Sequence, residues 1–295
     1  MGEAALLAWA AATLRSATPL LLALLGETLT QRAGIINLGV EGQMLAGAVV
    51  GFGVAATFGQ PLPALVAGGV AGLVLSLVHA VLCLGVRANQ IGSGIAVWML
   101  GLGISSYYGR AFIGGRVTTF GPLLGMSPVI WAAILLVPVV GWWLYRTRPG
   151  LVWRAVGESV DNAHALGVRP RLVQLQAILV GGLLSGLGGA VLSVDYTQTW
   201  ANEITKGRGL VAVGLVIVTR WNPFLVLPTA LFFGLCEAAV LRLQAVGLAV
   251  SSYLLACLPY AACLAVLTIV QLSARYGRDM PEGLKDVFAD SRTSG

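Results

Sequence analysis

The chain has 295 residues, of which 57% are hydrophobic and only 10% charged, and its mean hydropathy is +0.86. A soluble domain carries about 25% charged residues, so composition excludes an ordinary soluble fold and places the chain in a bilayer. The net charge of +6 is spread over the ends of apolar blocks and is not gathered into one basic run, which excludes a nucleic-acid footprint and leaves orientation information instead.

The apolar residues come in blocks of about 20, the length that crosses about 30 Å of hydrocarbon as a helix. Backbone groups in lipid must be satisfied within the segment, and the blocks lack the apolar–polar alternation of a membrane barrel. The expected fold is all-α: a polytopic transmembrane helical bundle of about 8–10 spans, including a short or broken helix. Residues 1–272 make the transmembrane domain and 273–295 a solvated, cytoplasmic polar tail.

In chain order, residues 3–14 are apolar but too short to span, and Arg15 closes them, which predicts an interfacial or partly inserted helix. Spans follow at about 17–31, opened by Pro19, then 35–58, 62–86 and 90–108. A Gly-rich extramembrane connection occupies 109–127, and further spans lie at about 128–145 and 172–194. Residues 209–219 are apolar but stop at Arg220, Asn222 and Pro223, too soon to cross a bilayer. They predict a half-helix, which is tolerated only where protein or a cavity surrounds it. The last spans lie at about 224–240 and 248–272. Cys83, Cys236, Cys257 and Cys263 fall inside apolar stretches without C-x-x-C spacing and are expected to be small buried hydrophobes. No cleavable signal peptide is evident at the start.

One long polar segment interrupts these blocks: 151–168, LVWRAVGESVDNAHALGV. It predicts a short amphipathic helix with Arg154, Glu158, Asp161, Asn162 and His164 on its polar side. Leu151, Val152, Val156, Val160, Ala163, Leu166 and Val168 form its apolar stripe. Arg146, Arg148, Arg154, Arg169 and Arg171 outnumber Glu158 and Asp161 here, which places the segment in the cytoplasm. Counting spans then puts Arg32, Arg87, Arg220 and the tail with Arg275, Arg278 and Lys285 on the same side, and the N-terminus on the other.

Chemistry is absent elsewhere. There is no G-x-x-x-x-G-K-[ST] loop, no zinc spacing around His79 or His164, and no nucleophile elbow, so nothing points to an enzyme or to a bound cofactor or metal. Polar groups inside the spans admit two readings of equal weight as a set. Asn37, Glu41, Gln43, Asn89, Gln90 and Ser93 either line a path for a polar solute or cap helices and join spans. Glu27, beside Arg32 at the first exit, and Glu41 fit the structural role individually. Trp98, Tyr107, Tyr108 and Trp200 are candidates to stack on a ring. None of Glu41, Asp195 and Glu237 is clearly placed at mid-membrane, where an ion-coupled transporter or channel needs a carboxylate.

Four stretches together carry a family resemblance: LGETLTQRAGIINLGVEGQMLAGA from Leu25, RANQIGSGIA from Arg87, RAVGESVDNAHALGV from Arg154 and GRGLVAVGLVIVTRWNP from Gly207. The chain resembles the branched-chain amino acid, ribose and nucleoside permease family of bacterial ABC importers. It is most similar to the shorter permease of nucleoside-type systems served by a basic-membrane-protein lipoprotein. Residues 203–206 depart from the run such relatives often carry before Gly-Arg-Gly. The resemblance implies a multi-pass chain of the bacterial inner membrane that pairs with a second homologous permease. It also implies two cytoplasmic ATPase subunits or one fused double ATPase, which use the ATP, and an extracytoplasmic solute-binding lipoprotein. It makes 154–168 the coupling helix, with Arg154, Gly157, Glu158, Asp161, Ala163, Leu166 and Gly167 at the ATPase. Asn37, Glu41, Asn89, Gln90, Ser93 and Trp98 are the candidate translocation path. The implied solute is a nucleoside or related purine-like compound, with a simple sugar, riboflavin or a branched-chain amino acid as alternatives.

Overall fold

A computed structural model describes residues 3–245, 251–272 and 280–285. The named elements are all helical: α1 (Glu3–Arg32), α2 (Val40–Phe58), α3 (Pro61–Ala80), α4 (Gln90–Gly109), α5 (Pro128–Arg146), α6 (Arg148–Glu158), α7 (Val160–Ala165), α8 (Pro170–Ala190), α9 (Arg208–Val218), α10 (Pro223–Ala245) and α11 (Ser252–Leu272). One π-helical turn extends α3 over Val81–Gly85 and another extends α8 over Val191–Tyr196. Among the described residues, seven helices are long and apolar enough to cross a membrane. α4 has the length, but Gln90, Ser93, Ser105, Ser106 and its glycines dilute its apolarity. With the short α9, the bundle matches the expected architecture of long spans around one broken helix.

The first helix differs from expectation. Residues 3–14 are the opening of α1 and not a separate interfacial element. Arg15 is exposed while Ser16 and Ala17 are buried, so the charge sits on the outward side of a helix that continues past it. Arg15 lies 17 positions before Arg32, about 26 Å at helical rise, close to where α1 leaves the hydrocarbon. At and beyond that level α10 supports it: Ser16 Oγ donates to the Gly234 carbonyl at 2.9 Å, and Arg242 lies 4.4 Å over the Trp9 ring.

α8 runs through the centre, packed on α1, α2 and α3. Small residues permit this, since lipid gives no hydrophobic drive between helices and close backbone approach must supply the packing. A Cβ at Gly186 would overlap the Gly68 carbonyl of α3, and one at Gly189 would overlap the Met44 carbonyl of α2. Gly189→Val is therefore expected to cost about 3 kcal/mol or more, because backbone cannot yield as a side chain does. Gly103→Ala, with nothing within 4 Å of the new Cβ, is expected to stay within about 1 kcal/mol of wild type. Thermal melting of the detergent-purified proteins checks both.

The segment expected to be one amphipathic helix is two. α6 begins as soon as α5 ends, with the Thr147 side chain accepting from the Gly150 N–H. The chain then breaks at Ser159, whose hydroxyl caps α7 through the Asn162 N–H. The expected apolar stripe is split accordingly. Trp153, Val156 and Ala163 are buried, while Leu151, Val160 and Leu166 face outward.

The tail also departs from a solvated end. Arg275 and Arg278 lie outside the described residues, but residues 280–285 dock against α6. Pro281 and Leu284 are buried, and the Glu282 N–H donates to Glu158 at 3.4 Å. Leu284 joins the main hydrophobic core, which explains why this otherwise charged stretch is held. Of the cysteines, Cys83 and Cys263 are buried as expected, Cys236 is half-buried and Cys257 is exposed on α11.

Candidate functional site

The half-helix α9 and its preceding loop organise the interior. Trp200 packs on Phe52 of α2 with ring centroids 6.0 Å apart, and Thr205 bonds to Glu41, eleven positions earlier on the same helix. The loop therefore descends about 16 Å into the bundle, judged by helical rise. α9 needs only its 11 residues to reach the other end, where the Arg32 Nε–H donates to the Trp221 carbonyl at 2.6 Å.

Glu41 fixes the upper end of α9. Its buried carboxylate accepts from the Thr205 hydroxyl at 2.5 Å, the Gly207 N–H at 2.8 Å and the Gly209 N–H at 2.6 Å. The first N–H groups of a helix lack intrahelical partners and carry partial positive charge, so an anion from α2 satisfies both needs. Gly207 adopts φ 82 there, a left-handed turn that glycine makes without strain.

A polar chain fixes the lower end. The Trp221 indole donates to Gln31 at 2.8 Å, Gln31 donates to Glu27 at 2.9 Å, and Glu27 accepts from the Asn37 N–H at 3.1 Å. The Asn37 amide then donates to Gln43 at 3.2 Å. Glu27 is thus wholly buried and does not mark a charged exit beside Arg32.

The other expected path residues are engaged locally. Asn89 caps α4 through the N–H groups of Ile91 and Gly92, and Gln90 accepts from the Ile36 N–H. Ser93 sits 3.1 Å from His79 and 2.9 Å from Cys83 in a buried cluster. Trp98 is half-buried on α4, its backbone against Gly42. The structure joins Asn37 and Glu41 to the frame of α9 and does not bring Asn89, Gln90, Ser93 or Trp98 to it.

The open space lies elsewhere. A cavity of about 360 Å³ is bounded by the 197–207 loop, the start of α9, the C-terminal half of α10 and the start of α11, with Tyr196, Asn202, Arg208, Glu237 and Tyr260 in its wall. Arg208 and Glu237 form an ion pair at 2.6 Å, with side chains only 8% and 14% exposed. Carboxylates are buried at Glu27 and Glu41 and nearly so at Glu237, and each is held by a cap, a network or a cation. The aromatic residues of the cavity also differ from those expected. Trp200 is buried against Phe52 and Gly109, while Tyr107 and Tyr108 pair edge-on at the exposed end of α4. In the sequence, the signals were a lone glutamate in the apolar run 223–245 and an arginine opening another.

At the far end of the bundle, α6 and α7 divide the residues of the polar segment. Trp153 donates to the Leu29 carbonyl at 3.0 Å, and Arg154 lies 5.1 Å over the Tyr145 ring. Gly157 is wedged where a Cβ would overlap the Arg32 carbonyl, with Gly34 and Gly283 alongside. Ala163 is buried as well, so Arg154, Gly157 and Ala163 anchor the pair inward. Glu158, Asp161, Leu166 and Gly167 face out, Leu166 at 82% exposure.

A bundle of long apolar helices around an anchored half-helix, with a short helical pair projecting at one end, defines an integral membrane permease. The chain belongs to the family of permease components of branched-chain amino acid transport systems, whose family model matches residues 9–270. It is 38% identical to the Haloferax volcanii permease protein TsgC13, named for a glucose ABC transporter, over 81% of this chain and 78% of that one. It is 32% identical to the guanosine ABC transporter permease protein NupQ of Bacillus subtilis, over 77% and 80%. It is 28% identical to the nucleoside ABC transporter permease protein NupC of Lactococcus lactis, over 88% and 90%. No solved structure matches it. The protein is an ABC transporter permease, a multi-pass chain of the inner membrane.

Proposed function

We propose that this permease, paired with a second homologous permease, forms the pathway by which an ABC importer takes up a nucleoside or related purine-like solute. ATP is hydrolysed on separate subunits, two ATPases or one fused pair, and this chain binds no cofactor. A lipoprotein on the outer side hands over the solute. Relatives named for guanosine and nucleosides support the solute, and the relative named for glucose supports a sugar as the second reading. The basic residues around α6 and α7 support a cytoplasmic position for them.

The observation that carries the reading is the surface of the α6–α7 pair. Leu166 and Val160 stand exposed beside Glu158 and Asp161 on a short element whose inner side is locked to α1. An exposed apolar residue on a charged, rigidly backed element suits docking into a groove of a soluble motor. Motion of that pair reaches α9 through contacts already named: Gly157 on the Arg32 carbonyl, Arg32 and Gln31 on Trp221, Glu27 on Asn37. ATP drives transport through this route only by binding one arrangement more tightly than the other.

Gly157 is the wrong place to test docking, because any side chain there collides with Arg32 before it meets a partner. Leu166→Asp combined with Val160→Asp is the sharper probe. The variant is expected to insert and pair with the second permease, to lose co-purification of the ATPase, and to lower ATP-dependent guanosine uptake more than tenfold. Normal uptake by this variant would remove the docking role.

A further inference from the structure

The cavity under the 197–207 loop combines buried charge with open space in a way no structural role uses up. The Arg208 guanidinium and Glu237 carboxylate meet through one oxygen. Arg208 Nε and the second oxygen of Glu237 are buried with no hydrogen-bond partner among the described residues. Buried polar atoms are nearly always paired, so a donor and an acceptor left side by side in a cavity wall point to a molecule that supplies both.

We propose that this cavity is a solute-binding site on the import path, suited to the polyhydroxylated ring that nucleosides and hexoses share. The proposal rests on the permease reading above. A hydroxyl is donor and acceptor at once, so vicinal hydroxyls can accept from Arg208 Nε–H and donate to Glu237. Tyr196, 5.8 Å from the Arg208 guanidinium, and Tyr260 supply flat faces for a ring. Charge narrows the choice: Arg208 and Glu237 neutralise each other and Lys206 leaves the wall one positive charge, so a cation is disfavoured, and a zwitterion would have to part a 2.6 Å ion pair. The volume of about 360 Å³ lies in the range of small-molecule sites. Position fits as well: Asn202 and Lys206 are exposed on the loop that descends into the bundle, and polar side chains at such depth face water or protein, not lipid.

The test uses the complete transporter, with ATPase, second permease and binding protein, in proteoliposomes. Ala201→Trp and Ala256→Trp fill the cavity from two sides without disturbing the ion pair. Each is expected to lower uptake of labelled guanosine or glucose more than tenfold, with melting temperature and ATPase co-purification unchanged. In a background with all four native cysteines replaced, Asn202→Cys is expected to react with a water-soluble maleimide at least fivefold more slowly when solute is present. Protection by guanosine marks a nucleoside site and protection by glucose a sugar site; protection by leucine, or by none of the three, overturns the proposal. Normal uptake by both tryptophan variants also overturns it and leaves the permease reading intact. Absence of ATP-dependent uptake in the wild-type transporter overturns that reading itself.

Discussion

Replacing Glu41 with alanine is expected to destabilise the protein by at least about 3 kcal/mol and to abolish transport. The substitution strips partners from the Thr205 hydroxyl and from the N–H groups of Gly207 and Gly209 together. A buried donor left without an acceptor costs about 1–3 kcal/mol, and no water from lipid can replace the carboxylate. The loss has a functional side, because the same bonds hold the start of α9 against α2 and so hold the 197–207 loop at its depth. Glu41→Gln keeps the shape but offers one acceptor oxygen and turns an amide N–H toward a donor, so it is expected to fall between alanine and wild type. Melting temperature in detergent, read beside guanosine uptake, checks the series. A Glu41→Ala protein that melts with wild type would mean that α9 is held by something other than this cap.

The Glu41 cap also shows where the sequence stops being informative. The apolar length of 209–219 is a local property, and it predicts a half-helix from residues 209–219 alone. What the half-helix begins against is not local, since its cap lies more than 160 positions earlier on α2, and no periodicity links the two. Arg15 misleads for a related reason: a charge ends an apolar run on paper, but in a helix it occupies one direction only, and burial of Ser16 and Ala17 decides continuity. The polar segment 151–168 announces an exposed element by composition. Its break at Ser159 and the inward set of Gly157 follow from backbone contacts with Arg32 that composition does not carry. The residues expected to line a path were chosen because they are polar within spans. Most prove to satisfy backbone groups at helix ends, which is what short polar side chains beside unpaired N–H groups do first. Arg208 and Glu237 escaped that choice because each reads alone as the end of a run or a stray charge, and only the fold places them together.

Their pairing leads to the second large expected effect. Arg208→Met or Glu237→Met alone leaves the opposite charge buried and unpaired, at an expected cost of about 3–5 kcal/mol. Arg208→Met with Glu237→Met removes both charges from a site that is otherwise mostly apolar along α10 and α11, and such replacements are often neutral or stabilising. The double variant is therefore expected to melt near wild type while each single variant melts well below it, the coupling expected of two residues in contact. Transport separates the two uses of the pair. If its sole task were to hold α9 to α10, the double variant would carry solute as wild type does. If the free Arg208 Nε–H and the free Glu237 oxygen receive the solute, the stable double variant is expected to lose uptake more than tenfold with its ATPase still bound. A stable, fully active double variant would show that the charges serve packing alone, because methionine can fill their volume but cannot exchange hydrogen bonds with a hydroxyl.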